Sequence, residues 1–528
     1  MARGRPGPAL TIGIPFILLG TSGYLVWKLV VNKPPAVIAT ADAKPVPPRS
    51  KCTDPHVIRV AGDPWSGYST FRGEPKLAAQ LHKSGICIDY VDAEDQTLWE
   101  QSARMAALAK GDIDLAVTTI DAFLQHGAKH KVDGRYPGAI IWNIDESAGG
   151  DAIFVSKNKR SFDDLGPSDT VCYSVGTPSE HLWDFASLSF SHLENLRTDL
   201  KTDKGDDVTD AGECWNKLQT GKVQVAVLWQ PYTAQAVKAG YKKVFATGPE
   251  ADDIIVDIVV ANRNYAQREQ KTLETLAKAY FQVIAEYEKD VPAHAKFITD
   301  DCGSPCAALG ESVLAGIDFL DYETNMQLWW GKRKSPSKMP MRIKLTAGLL
   351  QAKHKLTEVP PADSILDDRF LVAMDAISAT GAVPAQVVEK NDPGRIARDA
   401  EARNDESKNV GTMRLPNVKF GDGSYRLDAN GKEIVRSIKD SLQSFPGLCI
   451  HIFGYTSSPG DPDVNLKLSN FRAQAIANEL KALDSNAFSD VRLDVRGFGP
   501  THLIIRDGVE DQEASRRTEF TLYKCTQA

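Results

Sequence analysis

The chain of 528 residues lacks the short motifs that mark common enzymes. It has no Gly-x-Ser-x-Gly elbow, no His-Glu-x-x-His zinc pair and no Gly-x-x-x-x-Gly-Lys-Ser/Thr phosphate loop. His181 lies near Ser179 and Asp184, but groups so close along one helix rarely converge on one reacting atom, so no triad is read there. The expectation is a protein that is not an enzyme. An excess of basic charge is also missing: 62 Lys and Arg stand against 69 Asp and Glu, a net charge of -7, and the basic residues are scattered rather than gathered in a stripe. Nucleic acid is excluded as an expected partner. Cys302 and Cys306 are spaced like half a metal site, yet no His or Cys pair follows at ligand spacing. Neither a metal nor another cofactor is expected, and no internal repeat is visible.

Residues 9–31 contain no Asp, Glu or His, and Lys28 is the one charge in an otherwise apolar run. About 20 such residues at 1.5 Å each cross a hydrocarbon core. The missing acid or histidine excludes a proton-conducting helix. Arg3 and Arg5 favour a cytoplasmic start with the remainder outside, a bias that Lys28 and Lys33 weaken. A cleaved signal peptide would use Ala39-Thr40-Ala41, which lies far from the apolar core. The expectation is therefore a cytoplasmic tip at 1–8 and an uncleaved single-pass anchor at 9–31. A spacer rich in Pro and Ala follows at 32–55.

From His56 to Asn262 short apolar runs such as Ile58-Arg-Val-Ala, Ile113-Asp-Leu-Ala-Val and Val223-Gln-Val-Ala-Val-Leu alternate with helical patterns. This predicts an α/β domain with mostly parallel sheets, continued by helices from Gln267 to about Ala376. The segment 381–414 is charged and poor in large apolar residues, which predicts a linker. A small unit follows at 415–528, with strands near 417–420, 448–454, 492–497 and 518–523 and helices at 429–444 and 468–482. All eight cysteines, Cys52, Cys87, Cys172, Cys214, Cys302, Cys306, Cys449 and Cys525, are disulfide candidates in an exported chain. Cys52 and Cys87 each precede a strand-like run, Cys302 and Cys306 suit a local bridge, and Cys449 and Cys525 both sit on strands of the last unit.

Five clusters follow strand runs: Trp65-Ser66-Gly67-Tyr68, Thr118-Thr119-Ile120-Asp121, Gly149-Gly150-Asp151, Thr177-Pro178-Ser179-Glu180-His181 and Trp229-Gln230-Pro231-Tyr232. Ligands of α/β sheets bind beyond the carboxyl ends of strands, so these loops can converge on one cleft. Glycines would let backbone amides approach a ligand, Thr177 and Ser179 offer hydroxyls, and Trp65, Tyr68 and Trp229 would wall the site. In order and spacing, residues 56–380 resemble the periplasmic solute-binding proteins of ABC importers of the taurine, alkanesulfonate and nitrate type. That resemblance implies a two-lobed fold and a small anionic or zwitterionic solute. Asp121 and Asp151 are acidic, and if both face the cleft an amine-bearing ligand gains weight.

The last unit carries Gly454-Tyr455-Thr456-Ser457, then Asn465, Leu468-Ser469 and Arg472-Ala473 on one helical face, Gly497-Phe498-Gly499, and Ser515-Arg516-Arg517. These motifs resemble the OmpA-like peptidoglycan-binding domain. The resemblance implies a small α+β fold and a site of Thr456, Ser457, Asn465, Arg472, Arg516 and Arg517 that grips the diaminopimelate of the wall peptide. Ser457 stands where the family has an aspartate that holds an ammonium group. Losing that charge-assisted bond weakens binding roughly 10- to 100-fold unless another carboxylate substitutes, and Asp461 and Asp463 are the nearby candidates.

Together these readings predict a Gram-negative inner-membrane protein with most of its chain in the periplasm, binding a small solute and attached to peptidoglycan. An ABC permease or other envelope proteins are the expected partners. The alternative is a structural or sensing component of an envelope assembly that uses the binder fold for docking.

Overall fold

The computed structural model describes residues 52–91, 97–248, 250–333, 336–378, 408–421 and 423–525. The expected anchor at 9–31 and most of the expected linker lie outside them. Among the described residues, no helix is long and apolar enough to cross a membrane.

The α/β region forms two lobes. Lobe 1 begins with the strands β1 (His56–Ala61), β2 (Ile86–Tyr90), β3 (Leu115–Thr119) and β4 (Gly138–Ser147), after which the chain leaves it for an excursion. In between lies lobe 2, with β5 (Ala152–Val155), β6 (Thr170–Cys172), β7 (Arg197–Thr198), β8 (Val225–Leu228) and β9 (Lys242–Ala246). The chain then returns to lobe 1 through β10 (Val256–Asn262) and β11 (Ile317–Phe319). The sheet orders are β11-β4-β10-β3-β1-β2 and β7-β6-β8-β5-β9. Strands β3, β5, β8 and β10 are buried along their whole length, as near-continuous apolar runs require when both sheet faces are covered.

The sheets are mixed rather than mostly parallel. Strand β10 runs antiparallel to both β3 and β4, and β5 runs antiparallel to both β8 and β9. Each is the first strand after the chain crosses between lobes, so it enters its new sheet from the opposite end. The apolar runs of these strands carry no sign of direction, which is why sequence misses it.

Four disulfides join Cys52 to Cys87, Cys172 to Cys214, Cys302 to Cys306 and Cys449 to Cys525. The first ties the entry of β1 to its parallel neighbour β2, with Val57 opposite Cys87 in the register. The second ties β6 to the helix Ala211–Gln219 across 42 residues of chain. Closing a loop of that size restricts the unfolded chain by about 4 kcal/mol on the chain-entropy account. Replacing both Cys172 and Cys214 by serine is expected to lower stability by about that amount, read as a fall in the urea midpoint.

The C-terminal domain has β12 (Asn409–Thr412), β13 (Leu448–Gly454), β14 (Leu493–Gly497), the short hairpin β15 (Ile505–Arg506) and β16 (Val509–Glu510), and β17 (Thr518–Lys524). Its main sheet has the order β12-β17-β13-β14, and the helices Ala429–Gln443 and Pro462–Leu483 pack on it. Residues 417–420 form no strand, and the edge strand lies earlier, inside the stretch expected as linker. Asn409–Thr412 has little apolar pattern of its own; pairing with β17 and burial of Val410 make it a strand.

Lobe 2 and the C-terminal domain share one hydrophobic core. Phe445, at the end of the first C-terminal helix, lies 5.3 Å from Phe185, 5.7 Å from Phe190 and 5.9 Å from Phe245 by ring centroid. Asp163 of lobe 2 accepts from Asn409 Nδ2 at 2.9 Å and from the Thr412 amide at 2.8 Å. Lys524 donates to the carbonyl of Lys243 at 2.7 Å and pairs with Glu250 at 2.9 Å.

Candidate ligand cleft and wall-binding face

The turn after β1 places Trp65, Ser66, Gly67 and Tyr68 over the ends of β4 and β10. All four are buried. A Cβ on Gly67 would come within 2.1 Å of Asp145 Oδ2 and 2.4 Å of the Trp65 indole nitrogen, so this glycine serves close packing of protein on protein. Gly150 acts likewise, since a Cβ there would meet the carbonyl of Gly316 at 2.5 Å and the Trp65 ring at 2.6 Å. Neither glycine opens the backbone to a ligand; both let the turn after β1 sit directly on the inter-lobe crossing.

That crossing is a hydrogen-bonded knot. Ser147 Oγ donates to Asp151 Oδ2 at 2.7 Å and lies 2.8 Å from Thr247 Oγ1, and the Gly149 amide donates to Thr247 Oγ1 at 3.1 Å. Asp151 therefore joins the two crossing segments. Burial pushes its carboxyl up to about 7, partly offset by the Ser147 hydroxyl.

Two hydroxyls expected to meet a ligand are already engaged. Thr119 caps the helix Ile120–Gly127 by accepting from the Ala122 amide at 3.4 Å. Thr177 caps the helix Pro178–Ser189 and donates its own proton to the Ser174 carbonyl at 2.9 Å. Other groups remain unpartnered. The side-chain atoms Ser66 Oγ, Asp121 Oδ1, Ser179 Oγ and His181 Nδ1 are buried with no hydrogen bond. Asp121 on lobe 1 and His181 on lobe 2 attract one another electrostatically, yet burial holds the imidazole below its ordinary pKa and so favours the neutral form. His126 reaches across to lobe 2, with Nε2 3.0 Å from the Gly176 carbonyl. Trp229 is half-buried and packs against the cores of both lobes.

Beneath the turn after β1 lies a buried carboxyl pair that sequence reasoning missed. Asp145 on β4 stands directly opposite Asp257 on β10, and Asp257 stands opposite Thr119 on β3. Directly opposed side chains share one sheet face about 5 Å apart, and like charges there repel. Burial pushes Asp145 up to about 8 and Asp257 well above the carboxylate range, the second further raised by the first. The Tyr68 hydroxyl donates to Asp257 Oδ1, and Asp257 and the Trp65 indole hold the Asp145 carboxyl, which partly offsets its rise. The signal lay in Ile254-Ile255-Val256-Asp257-Ile258-Val259-Val260, where an acid interrupts an apolar strand.

In the C-terminal domain a cleft of about 380 Å³ is lined by Tyr455, Arg472, Arg506, Arg516 and Arg517 among others, with Asp511 and Glu513 at its rim. Arg517 stacks over the Tyr455 ring at 4.0 Å and donates to Glu519 at 2.7 Å. Arg472 is buried and donates to the carbonyls of Ser424 at 2.9 Å and Gly421 at 3.2 Å. Asn465 donates to the Pro459 carbonyl at 3.0 Å, which shapes the loop after β13; Thr456 and Ser457 are buried in that loop, and Thr456 Oγ1 has no partner.

The carboxylate held by this loop comes from neither Asp461 nor Asp463. Asp461 is consumed as the cap of the helix Pro462–Leu483, accepting from the amides of Asp463 and Val464. Asp463 lies exposed in the first turn of that helix. Instead Glu510, at the end of the β15–β16 hairpin, accepts from the Ser458 amide at 2.9 Å and from the Ser458 hydroxyl, which holds its carboxyl below the usual range. A contact across 52 residues leaves no local sequence signal.

The sheet orders and the double crossing define a periplasmic-binding-protein-like α/β fold followed by a separate small domain. Residues 419–517 match the OmpA family, so the chain ends in an OmpA domain. A 112-residue stretch is 31% identical to the probable lipoprotein YiaD of Escherichia coli (strain K12), covering 21% of this chain and 50% of that protein. The chain thus spans about half the length of that curated relative. Among solved structures, the alkanesulfonate-binding protein SsuA from Xanthomonas axonopodis pv. citri, bound to MOPS, is similar at 14% identity and a TM-score of 0.45, covering 60% of this chain and 99% of that one. The desulfurization enzyme DSZB is similar at 12% identity and a TM-score of 0.43, covering 61% and 99%.

Proposed function

We propose that this chain is a cell-envelope binding protein: its two lobes close on a small solute, and its OmpA domain attaches it to peptidoglycan. The observation that carries the first part is the set of buried, unpartnered polar atoms on the strand-end loops of both lobes, Ser66 Oγ and Asp121 Oδ1 on lobe 1 and Ser179 Oγ and His181 Nδ1 on lobe 2. Such atoms are costly without a partner, and a bound solute supplies one. Residues 9–31 serve in this reading as an inner-membrane anchor, and the lobes bind without turning over their ligand. Mass spectrometry of small molecules released from protein purified from its native source tests the reading. A stoichiometric compound is expected, and none released from correctly folded protein argues against it.

For the wall-binding part, Arg472 and Glu510 take the places of cation and acid on either side of the loop Thr456–Ser458. Pull-down with purified sacculi is expected to fall about tenfold or more in Arg472→Ala and in Glu510→Gln. Because Arg472 is buried, its variant is compared at matched folded fraction; Glu510 is half-buried at the end of a surface hairpin and its variant should melt close to the parent.

One observation favours the second reading, a structural or sensing component. The core shared by lobe 2 and the OmpA domain makes a receptor that cannot swing freely on a tether. Co-purification from membranes separates the two: a permease with its ATPase supports transport, and other envelope proteins without them support assembly.

A further inference from the structure

The helix Lys338–Ala352 belongs to lobe 1, where its Met339, Ile343, Ala347 and Leu350 enter the core of that lobe. In the helix Pro178–Ser189, Leu182, Trp183 and Ala186 enter the core of lobe 2 instead. The apolar faces of the two helices thus serve different bodies, and charged groups cross between them. Lys355 Nζ pairs with Glu180 at 2.9 Å and donates to Asp184 Oδ2 at 2.6 Å, while Lys353 Nζ donates to Ser187 Oγ at 2.7 Å and lies 3.4 Å from Asp184 Oδ1. Both lysines come from lobe 1 and all three acceptors from lobe 2.

Local geometry builds this contact from each side. Glu180, Asp184 and Ser187 recur at four- and three-residue spacing, which sets them along one face of their helix. Opposite them, His354 adopts a left-handed backbone with φ of 57°, and the Lys355 amide returns to the Leu350 carbonyl at 2.8 Å, so the chain turns between its two lysines. The four charged side chains are between 7% and 24% exposed. Pairs so far withdrawn from water hold better than those on an open surface.

The same helix of lobe 1 is fastened at both ends. Near its start Lys338 at 3.2 Å and Arg342 at 3.6 Å pair with Asp253, which lies on the return crossing between the lobes. Its lysine-bearing end lies roughly 20 Å further along the axis. A contact at a pivot resists rotation little, whereas one that far from it must break when the lobes part. The far contact also reaches the candidate ligand loop: Glu180 accepts from the Gly176 amide at 2.9 Å, and the Gly176 carbonyl lies 3.0 Å from His126 of lobe 1. Ser179 and His181, with the unpartnered atoms of lobe 2, sit on the same helix as the three acceptors.

Resting on the solute-binding reading above, we infer that Lys353 and Lys355 form a latch on the helix Pro178–Ser189, which must release before lobe 1 swings away from lobe 2 and a solute enters or leaves. The latch sets how often the cleft opens.

The test compares the full chain with two double variants, Lys353→Met with Lys355→Met on lobe 1 and Glu180→Gln with Asp184→Asn on lobe 2, by small-angle scattering and hydrogen exchange at matched folded fraction. Two variants made from opposite sides keep the test open should one fold poorly. A larger radius of gyration than the parent, with exchange about tenfold or more faster at residues 174–181 and protection kept in β5 and β8, is the expected result. An unchanged radius and unchanged exchange overturn the latch and leave the solute-binding reading standing, because that reading is decided by the compound released from native source. Protection lost throughout lobe 2 marks a contact needed for folding and also overturns the latch. Protein from native source that releases no compound removes the solute-binding reading, and with it the role of the latch as a gate.

Discussion

Replacing Asp145 with asparagine is expected to stabilise the ligand-free protein at pH 8 by up to about 5 kcal/mol and to leave it nearly unchanged at pH 4. Asp145 is fully buried opposite Asp257, and burial pushes its carboxyl up to about 8 from an ordinary 3.8. Between pH 4 and pH 8 the folded chain therefore keeps a proton that the unfolded chain has released. Stability from this group is complete below pH 4 and is lost as pH rises through about 8. Asparagine has nearly the same shape and no charge to bury, so it removes that slope. Urea unfolding of parent and variant at pH 4, 6 and 8 reads the difference directly, and the other titrating groups cancel to first order in the comparison. Equal midpoint differences at all three pH values would exclude the buried pair.

The same pair shows where sequence reading reaches its limit. Apolar runs, helix caps and loop clusters were legible because they depend on neighbours along the chain: Thr177-Pro178 opens a helix, and Trp65 to Tyr68 follows a strand. Register across a sheet does not depend on such neighbours. Asp145 and Asp257 lie 112 residues apart and meet only because β10 runs antiparallel to β4, the direction that the apolar pattern left undetermined. Glu510 is the counterpart in the OmpA domain. The substitution at Ser457 was visible, and Asp461 was the nearby acid, but Asp461 is used as a helix cap and the loop takes its carboxylate from a hairpin 52 residues on. Local rules marked the loops of both candidate sites; long-range pairing chose the charges beside them.

Replacing Phe445 with alanine is expected to cost about 3–5 kcal/mol, the range for removing a fully buried aromatic ring. Phe445 is 1% exposed and touches rings of lobe 2 on three sides, so the loss falls on the joint between lobe 2 and the OmpA domain rather than on either alone. In the parent protein these two bodies are expected to melt as one calorimetric transition, because a shared core couples their unfolding. In Phe445→Ala that transition should split or broaden, with the OmpA domain opening first because it has the smaller core left to itself. Polar contacts also cross the joint, from Asp163 and Lys524 and from the backbone pairs Ser191–Thr412 and Arg414–Ser189, but each hydrogen bond contributes only about 1 kcal/mol net, so the aromatic cluster is the largest single element holding it. The consequence for mechanism is direct. If the OmpA domain is held by the wall, lobe 2 is the fixed body, and closing on a ligand moves lobe 1 about the Ser147–Asp151–Thr247 knot. Hydrogen exchange on sacculus-bound protein, with and without ligand, should then change at lobe 1 and the knot and leave the Phe445 cluster protected, whereas the alanine variant should lose protection there in both states.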